Sequence, residues 1–192
     1  DLPPEDLYVA CMLKAQQIIE DDIKTDLPAR IAADPKSEDA QDAKRSLTAA
    51  KQLQDFGGLT RKVCKRPVMT WGYSSRRYGF ADQIRSDWMK DLTKKLYYGK
   101  LVHPVTGEKV TKHPFGADEG FYAAIYIAGV LQTAIERTVT SARDGQNFFQ
   151  RCARACAREN KHFKFTTPLG FPMEQFYRVP DERRQQRVYL TD

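Results

Sequence analysis

"RKVCKRPVMTWGYSSRRYGF", residues 61–80, decides how this chain is read. Four cations, Arg61, Lys62, Lys65 and Arg66, fall in its first six residues, and an apolar run ending at Tyr73 follows at once. Arg61, Lys65, Met69 and Tyr73 recur every fourth residue. On an α-helix each such step drifts by about 40° around the axis, so the four share one broad, slanting face. That face grades from charge to thioether to phenol. Cations one turn apart on a rigid helix suit a triphosphate, because an arginine can grip phosphate oxygens in pairs. A sugar or base beyond the phosphates would then meet Met69 and Tyr73. The spacing alone leaves a blander alternative open, since a basic helix face is commonly solvated and a Met/Tyr stripe commonly packs in a core.

The surroundings support a helical reading. Leu7, Cys11 and Ile18 recur at helical spacing in "PPEDLYVACMLKAQQIIEDDIK", which predicts a helix over 4–24. The two prolines of "DLPARIAADPKSED" are expected to interrupt it. A second helix is expected from Ser37 to Phe56, stopped by Gly57 and Gly58. Thr60 is a candidate cap for the helix that carries the basic stretch, and Pro67 should kink it. Residues 76–97 read as an amphipathic helix with Phe80, Ile84, Trp88 and Leu92 on one face. "YYGKLVHPVTGEKVTKHPFG", residues 97–116, reads as a loop with room for a small hairpin. A long apolar helix is expected over 117–141, broken at "RDG" and resumed in "QNFFQRCARACAREN". Short strands around a "PLGFP" turn are expected within 162–192. The fold class is therefore mainly α with a small β portion.

Charge is unevenly placed. Residues 1–57 carry 7 Lys/Arg against 12 Asp/Glu, while the remaining residues carry 24 against 13, so a net −5 precedes a net +11. The second part suits a polyanion partner. The longest apolar run, "FYAAIYIAGVL" at 121–131, is too short to span a membrane, so no membrane partner is expected. The cysteines, Cys11, Cys64, Cys152 and Cys156, form no C-x-x-C pair and read as reduced thiols. Cys152 and Cys156 stand one turn apart near His162, but a fourth ligand is lacking and no structural metal is expected. The chain starts at Asp1 with no secretory leader pattern, and reads as an excerpt of a cytoplasmic protein, with a mitochondrial setting left open.

The order Arg61-x3-Lys65-x3-Met69-x3-Tyr73 resembles motif B, the "O helix" of polymerase fingers. "GLTRKVCKRPVMTWGYSSRRYGF", residues 58–80, is similar to the single-subunit RNA polymerases of T-odd bacteriophages and mitochondria, which carry variants of TRxVxKxxVMTxxYGxxxxGF. "PPEDLYVACMLKAQQII" resembles the segment after motif A in the phage enzymes. "GFYAAIYIAGVLQTAIERTV" resembles a long helix that begins Gly-aromatic, and "TPLGFPMEQFYR" the stretch before their specificity hairpin. Residues 25–56 and 97–116 show no clear match. One departure stands out, because Ser74 replaces the family's usual glycine.

The resemblance implies that residues 1–192 are a fingers subdomain of a right-hand DNA-directed RNA polymerase. Its partners would be DNA template, nascent RNA, ribonucleoside triphosphates and the remainder of the polymerase chain. Arg61 and Lys65 would contact the triphosphate, with Lys65 also serving catalysis by offsetting leaving-group charge. Met69 would pack on the nascent pair, and Tyr73 and Ser74 would lie by the sugar and template base. Mg²⁺ would be held in the intact enzyme by aspartates lying before Asp1 and after Asp192. Two rivals stand beside this reading. Fingers of a family A DNA polymerase would place an aromatic residue at position 69. A basic helical module that only binds nucleic acid would not require the ordered Arg-Lys-Met-Tyr spacing.

Overall fold

A computed structural model describes residues 6–159 and 161–175. The polypeptide falls into two compact units, one ending at Thr138 and the other starting at Val139.

The first unit is helical. Helix α1 spans Leu7–Asp21, and a π-helical turn, Asp22–Asp26, joins it to α2, Leu27–Ala33. Asp6 caps α1, its carboxylate accepting from the Tyr8 N–H at 2.9 Å and the Val9 N–H at 3.3 Å. The expected interruption comes at the second proline and not the first: α2 ends at Ala33, with Asp34 extended before Pro35. Pro28 lies in the first turn of α2, where a proline's missing N–H does least harm, and the wide π turn just before it re-registers the backbone. Helix α3, Glu38–Asp55, is capped by the Ser37 hydroxyl, which accepts from the Ala40 N–H at 3.1 Å. Gly57 and Gly58, at φ +94° and +77°, terminate it as expected.

Helix α4, Arg61–Trp71, follows. Thr60 occupies the cap position with extended backbone, but its side chain makes no capping bond there; its carbonyl accepts from the Val63 and Cys64 N–H groups instead. Pro67 lies inside the helix, fully buried. The loss of one backbone bond is tolerated there because the ring replaces it with apolar contact.

Helix α5, Arg77–Ile84, a π turn, Arg85–Met89, and α6, Lys90–Tyr97, form one continuous helical segment, as the sequence suggests. The π turn changes which side chains are buried. The expected stripe Phe80–Ile84–Trp88–Leu92 assumes four-residue steps throughout. An i→i+5 turn advances the register by one residue, so Met89 is buried in place of Trp88. Trp88 is left half-buried, edge-to-face with Phe115 at 5.3 Å.

Residues 98–120 run without regular structure except for a single antiparallel bridge, Val102 to Lys109, which is the small hairpin in minimal form. Helix α7, Phe121–Thr138, is the centre of the unit and packs against α1, α3, α4 and α5. Ala123, Ala124, Ala128 and Ala134 let those helices approach, while Ile127, Leu131 and Ile135 fill the space between them. Two polar contacts fix its rotation. The Tyr126 hydroxyl donates to Asp22 at 2.7 Å, and Gln132 accepts from the Arg77 N–H at the start of α5 at 2.9 Å.

The second unit holds α8, Thr140–Arg158, and an antiparallel pair, β1 Phe163–Thr166 and β2 Pro172–Gln175. The helix break lies at Val139 (φ −112°, ψ 56°) and not at the expected "RDG". Gly145 is tolerated inside α8, where a lone glycine costs a helix only about 1 kcal/mol. The strand pair matches the expectation, and Gly170 at φ +84° makes its turn. Lys164 and Glu174 sit opposite each other in register, with 3.2 Å between their charged atoms. His162 engages the same Glu174 carboxylate. The remainder of the expected strand region, 176–192, lies outside the described residues, as does the expected helix start at residue 4.

Two backbone positions give stability tests. Gly120 has φ +81°, and a Cβ there would lie 2.6 Å from Sδ of the buried Met89. Gly120→Ala should therefore destabilise the protein by roughly 2 kcal/mol, read as a lower urea midpoint. Ser74 is a non-glycine residue at φ +68°. Ser74→Gly should move the midpoint the other way by about 1 kcal/mol, because it relieves left-handed strain.

Candidate nucleotide-binding face

The two faces of α4 divide cleanly. Cys64, Pro67, Val68 and Trp71 are buried, and they stand at the i, i+3, i+4, i+7 spacing of one apolar stripe. Arg61, Lys65 and Met69 are exposed on the opposite side, with Met69 at 50%. The stripe is held by packing against α1 and α7. Cys11 of α1 and Cys64 of α4 are both fully enclosed. Burial, with a smaller contribution from Cys11, pushes the Cys64 thiol up to about 12, so it is an inert packing group.

The C-terminal end of α4 is closed by two backbone bonds. The Ser75 N–H donates to the Thr70 carbonyl at 3.1 Å and the Ser74 N–H to the Trp71 carbonyl at 3.0 Å. This is the crossed pair of a Schellman cap, which requires a left-handed residue, and Ser74 supplies it. The serine thus adopts the conformation that a glycine would take without strain. The cap leaves Tyr73 projecting at the end of the helix, 85% exposed. All five residues singled out by the sequence, Arg61, Lys65, Met69, Tyr73 and Ser74, lie on α4 or its cap.

The cations of α4 differ in how they are held. Arg61 Nε donates to Asp6 Oδ2 at 2.6 Å, and its guanidinium lies over the Tyr8 ring, 5.0 Å from the centroid. The Arg61 hydrogen bond draws the Asp6 carboxyl below the usual carboxylate range. Arg66 Nη1 reaches both oxygens of Asp87, at 2.7 and 2.8 Å, and lowers that carboxyl in the same way. Lys65 makes no ion pair or hydrogen bond with any described residue. The helix therefore carries one positioned guanidinium, Arg61, and two exposed ammonium groups without a described partner, Lys62 and, one turn on from Arg61, Lys65. Asp6, Tyr8 and Asp87 escaped sequence reasoning, since no local spacing links residue 6 to residue 61 or residue 66 to residue 87.

Among the described residues no group of three or more His, Cys, Asp or Glu side chains is arranged to hold a metal ion. No described helix is long and apolar enough to cross a membrane.

Comparison with known proteins places this geometry in a family. The family model of DNA-dependent RNA polymerase matches residues 3–191. The DNA-directed RNA polymerase of Enterobacteria phage T3 is 26% identical over 205 residues, covering 97% of this chain and 21% of that protein. The mitochondrial DNA-directed RNA polymerase 1 of Arabidopsis thaliana is 30% identical over 161 residues, covering 83% of this chain and 14% of the relative. T7 RNA polymerase of Escherichia phage T7 is 28% identical over 148 residues, covering 69% and 15%. This chain spans about a fifth or less of the length of these relatives. With a match that runs almost from end to end and includes α4, the chain belongs to the DNA-dependent RNA polymerase family.

Proposed function

We propose that the chain is a fingers segment of a DNA-directed RNA polymerase, and that the exposed face of α4 receives the incoming ribonucleoside triphosphate opposite the template. The carrying observation is that Arg61, Lys65, Met69 and Tyr73 reach solvent in order along one helix whose other face is locked in the core. In the intact polymerase the RNA 3′ hydroxyl attacks the α-phosphate of the nucleotide and pyrophosphate leaves. Arg61 and Lys65 bind the triphosphate oxygens. Lys65, with no carboxylate partner among the described residues, offsets the charge that develops on pyrophosphate and donates it a proton. Arg61, oriented by Asp6 and Tyr8, is presented without a search through rotamers.

Met69 and Tyr73 lie beyond the phosphates, where the nascent pair and the sugar would sit. An aromatic residue at 69 would have favoured a DNA polymerase of family A; methionine packs adaptably against a base pair. The Tyr73 hydroxyl is assigned to recognition of the ribose 2′ position. Mg²⁺ is assigned to carboxylates outside this chain. DNA template, nascent RNA and the rest of the polymerase are the partners of this reading.

The test uses the full-length protein in a template-directed extension assay with ribo- and deoxyribonucleotides. Arg61→Ala and Lys65→Ala should each lower kcat/KM by on the order of 100-fold, as loss of a charge-stabilising group does. Tyr73→Phe should keep polymerisation while weakening the ribose preference by on the order of 1–3 kcal/mol. Variants at 61 and 65 with unchanged kinetics would refute the assignment of the face, and a Tyr73→Phe enzyme with unchanged discrimination would refute that of the hydroxyl.

A further inference from the structure

Away from α4, two tyrosines stand out of the protein at the end of α6. Tyr97 is 84% exposed and Tyr98 60% exposed, and their rings meet edge-to-face with centroids 5.3 Å apart. A single exposed aromatic residue needs no explanation, but an adjacent pair keeps a large apolar area in water. The backbone beneath them is fixed. The Gly99 N–H donates to the Leu96 carbonyl at 2.9 Å and the Lys100 N–H to the Lys95 carbonyl at 2.8 Å, with Gly99 at φ +61°. Leu101 is buried directly after the cap, which anchors the chain on the other side.

The same turn gathers positive charge. Residues 90–112 contain six lysines against Asp91 and Glu108. Asp91 is taken by Lys95 at 2.7 Å. Lys94, Lys100 and Lys109 make no ion pair with any described residue. The Val102–Lys109 bridge folds the loop back, so that Lys109 Nζ comes within 3.4 Å of where a Cβ on Gly99 would stand. An ammonium group therefore flanks the tyrosine pair from the loop side while Lys94 flanks it from α6.

We propose that Tyr97 and Tyr98, with Lys94, Lys100 and Lys109, form a binding site for single-stranded nucleic acid, separate from the nucleotide face of α4. Exposed aromatic faces bind unstacked bases, and the lysines bind the phosphates between them. A duplex keeps its bases stacked inside and offers such rings nothing beyond its backbone. The proposal rests on the reading that the protein acts on nucleic acid. It does not depend on Arg61 or Lys65, so the extension kinetics of the α4 variants and the behaviour of this patch are read separately.

The experiment irradiates the full-length protein with 12-nucleotide single strands of DNA or RNA carrying 5-bromouracil, and with a DNA duplex of the same length, and maps the adducts by mass spectrometry. Adducts on Tyr97 or Tyr98 from a single strand, and not from the duplex, are expected; the DNA and RNA arms show which strand the site takes. The double variant Tyr97→Ser/Tyr98→Ser should lose about tenfold or more in single-strand affinity, measured by fluorescence anisotropy, whereas Tyr97→Phe/Tyr98→Phe keeps the rings and the affinity. Absence of adducts at both tyrosines from every oligonucleotide, equal labelling by the duplex, or an unchanged affinity in the serine variant would each overturn the proposal.

Discussion

The apolar stripe of α4 is the constraint on which the site depends. Cys64, Pro67, Val68 and Trp71 can be buried together in only one rotation of the helix, and that rotation turns Arg61, Lys65 and Met69 outward. Magnitudes show which effect sets it. Burying a large apolar side chain contributes about 1.5–3 kcal/mol, whereas a solvent-exposed ion pair such as Arg66–Asp87 contributes about 0–1 kcal/mol. Packing therefore orients the helix, and the charged residues adjust within that orientation. Helix α7 supplies the surface against which this happens, its alanines permitting the close approach that larger residues would prevent.

Within that frame, polar contacts sort the cations by task. Asp6 does two jobs, capping α1 and holding the Arg61 guanidinium, so the start of the first helix is tied to the start of the fourth. Asp87 holds Arg66 against the π turn and removes it from competition for a ligand. Lys65, like Lys62, has no partner among the described residues, which is the condition a group needs if it is to respond to a charge that appears only during reaction. At the far end the Ser74 cap stops the helix abruptly and leaves Tyr73 at its edge. A serine holds this left-handed backbone despite its cost.

Much of this was legible in the sequence because it is periodic. The helix over 61–71, its division into a buried and an exposed face, the helical segment up to Tyr97 and the strands around Gly170 all follow from local spacing and turn chemistry. What escaped has physical reasons. The π turns at 22–26 and 85–89 shift register by one residue, a change that no four-residue pattern records, and the second of them exchanges Trp88 for Met89 in the core. The break at Val139 falls between two helical threonines and carries no glycine or proline to announce it, whereas the helix tolerates Gly145. Arg61–Asp6 joins residues 55 positions apart, and local spacing cannot announce such a contact. The likeness of residues 58–80 to motif B indicated the family that the end-to-end match to DNA-dependent RNA polymerases then showed.

The central claim, that the exposed face of α4 holds a nucleoside triphosphate by its phosphates, is tested most directly by affinity labelling. A ribonucleotide bearing an acyl phosphate at its γ end transfers the acyl group to a lysine amine lying against the phosphates, forming an amide as the acyl–phosphate bond breaks. Applied to the full-length protein and read by peptide mass spectrometry, it should acylate Lys65, and an excess of unmodified ribonucleotide should protect that residue. Labelling spread over Lys62, Lys94 and Lys100, with Lys65 unmodified and no protection by nucleotide, would contradict the account.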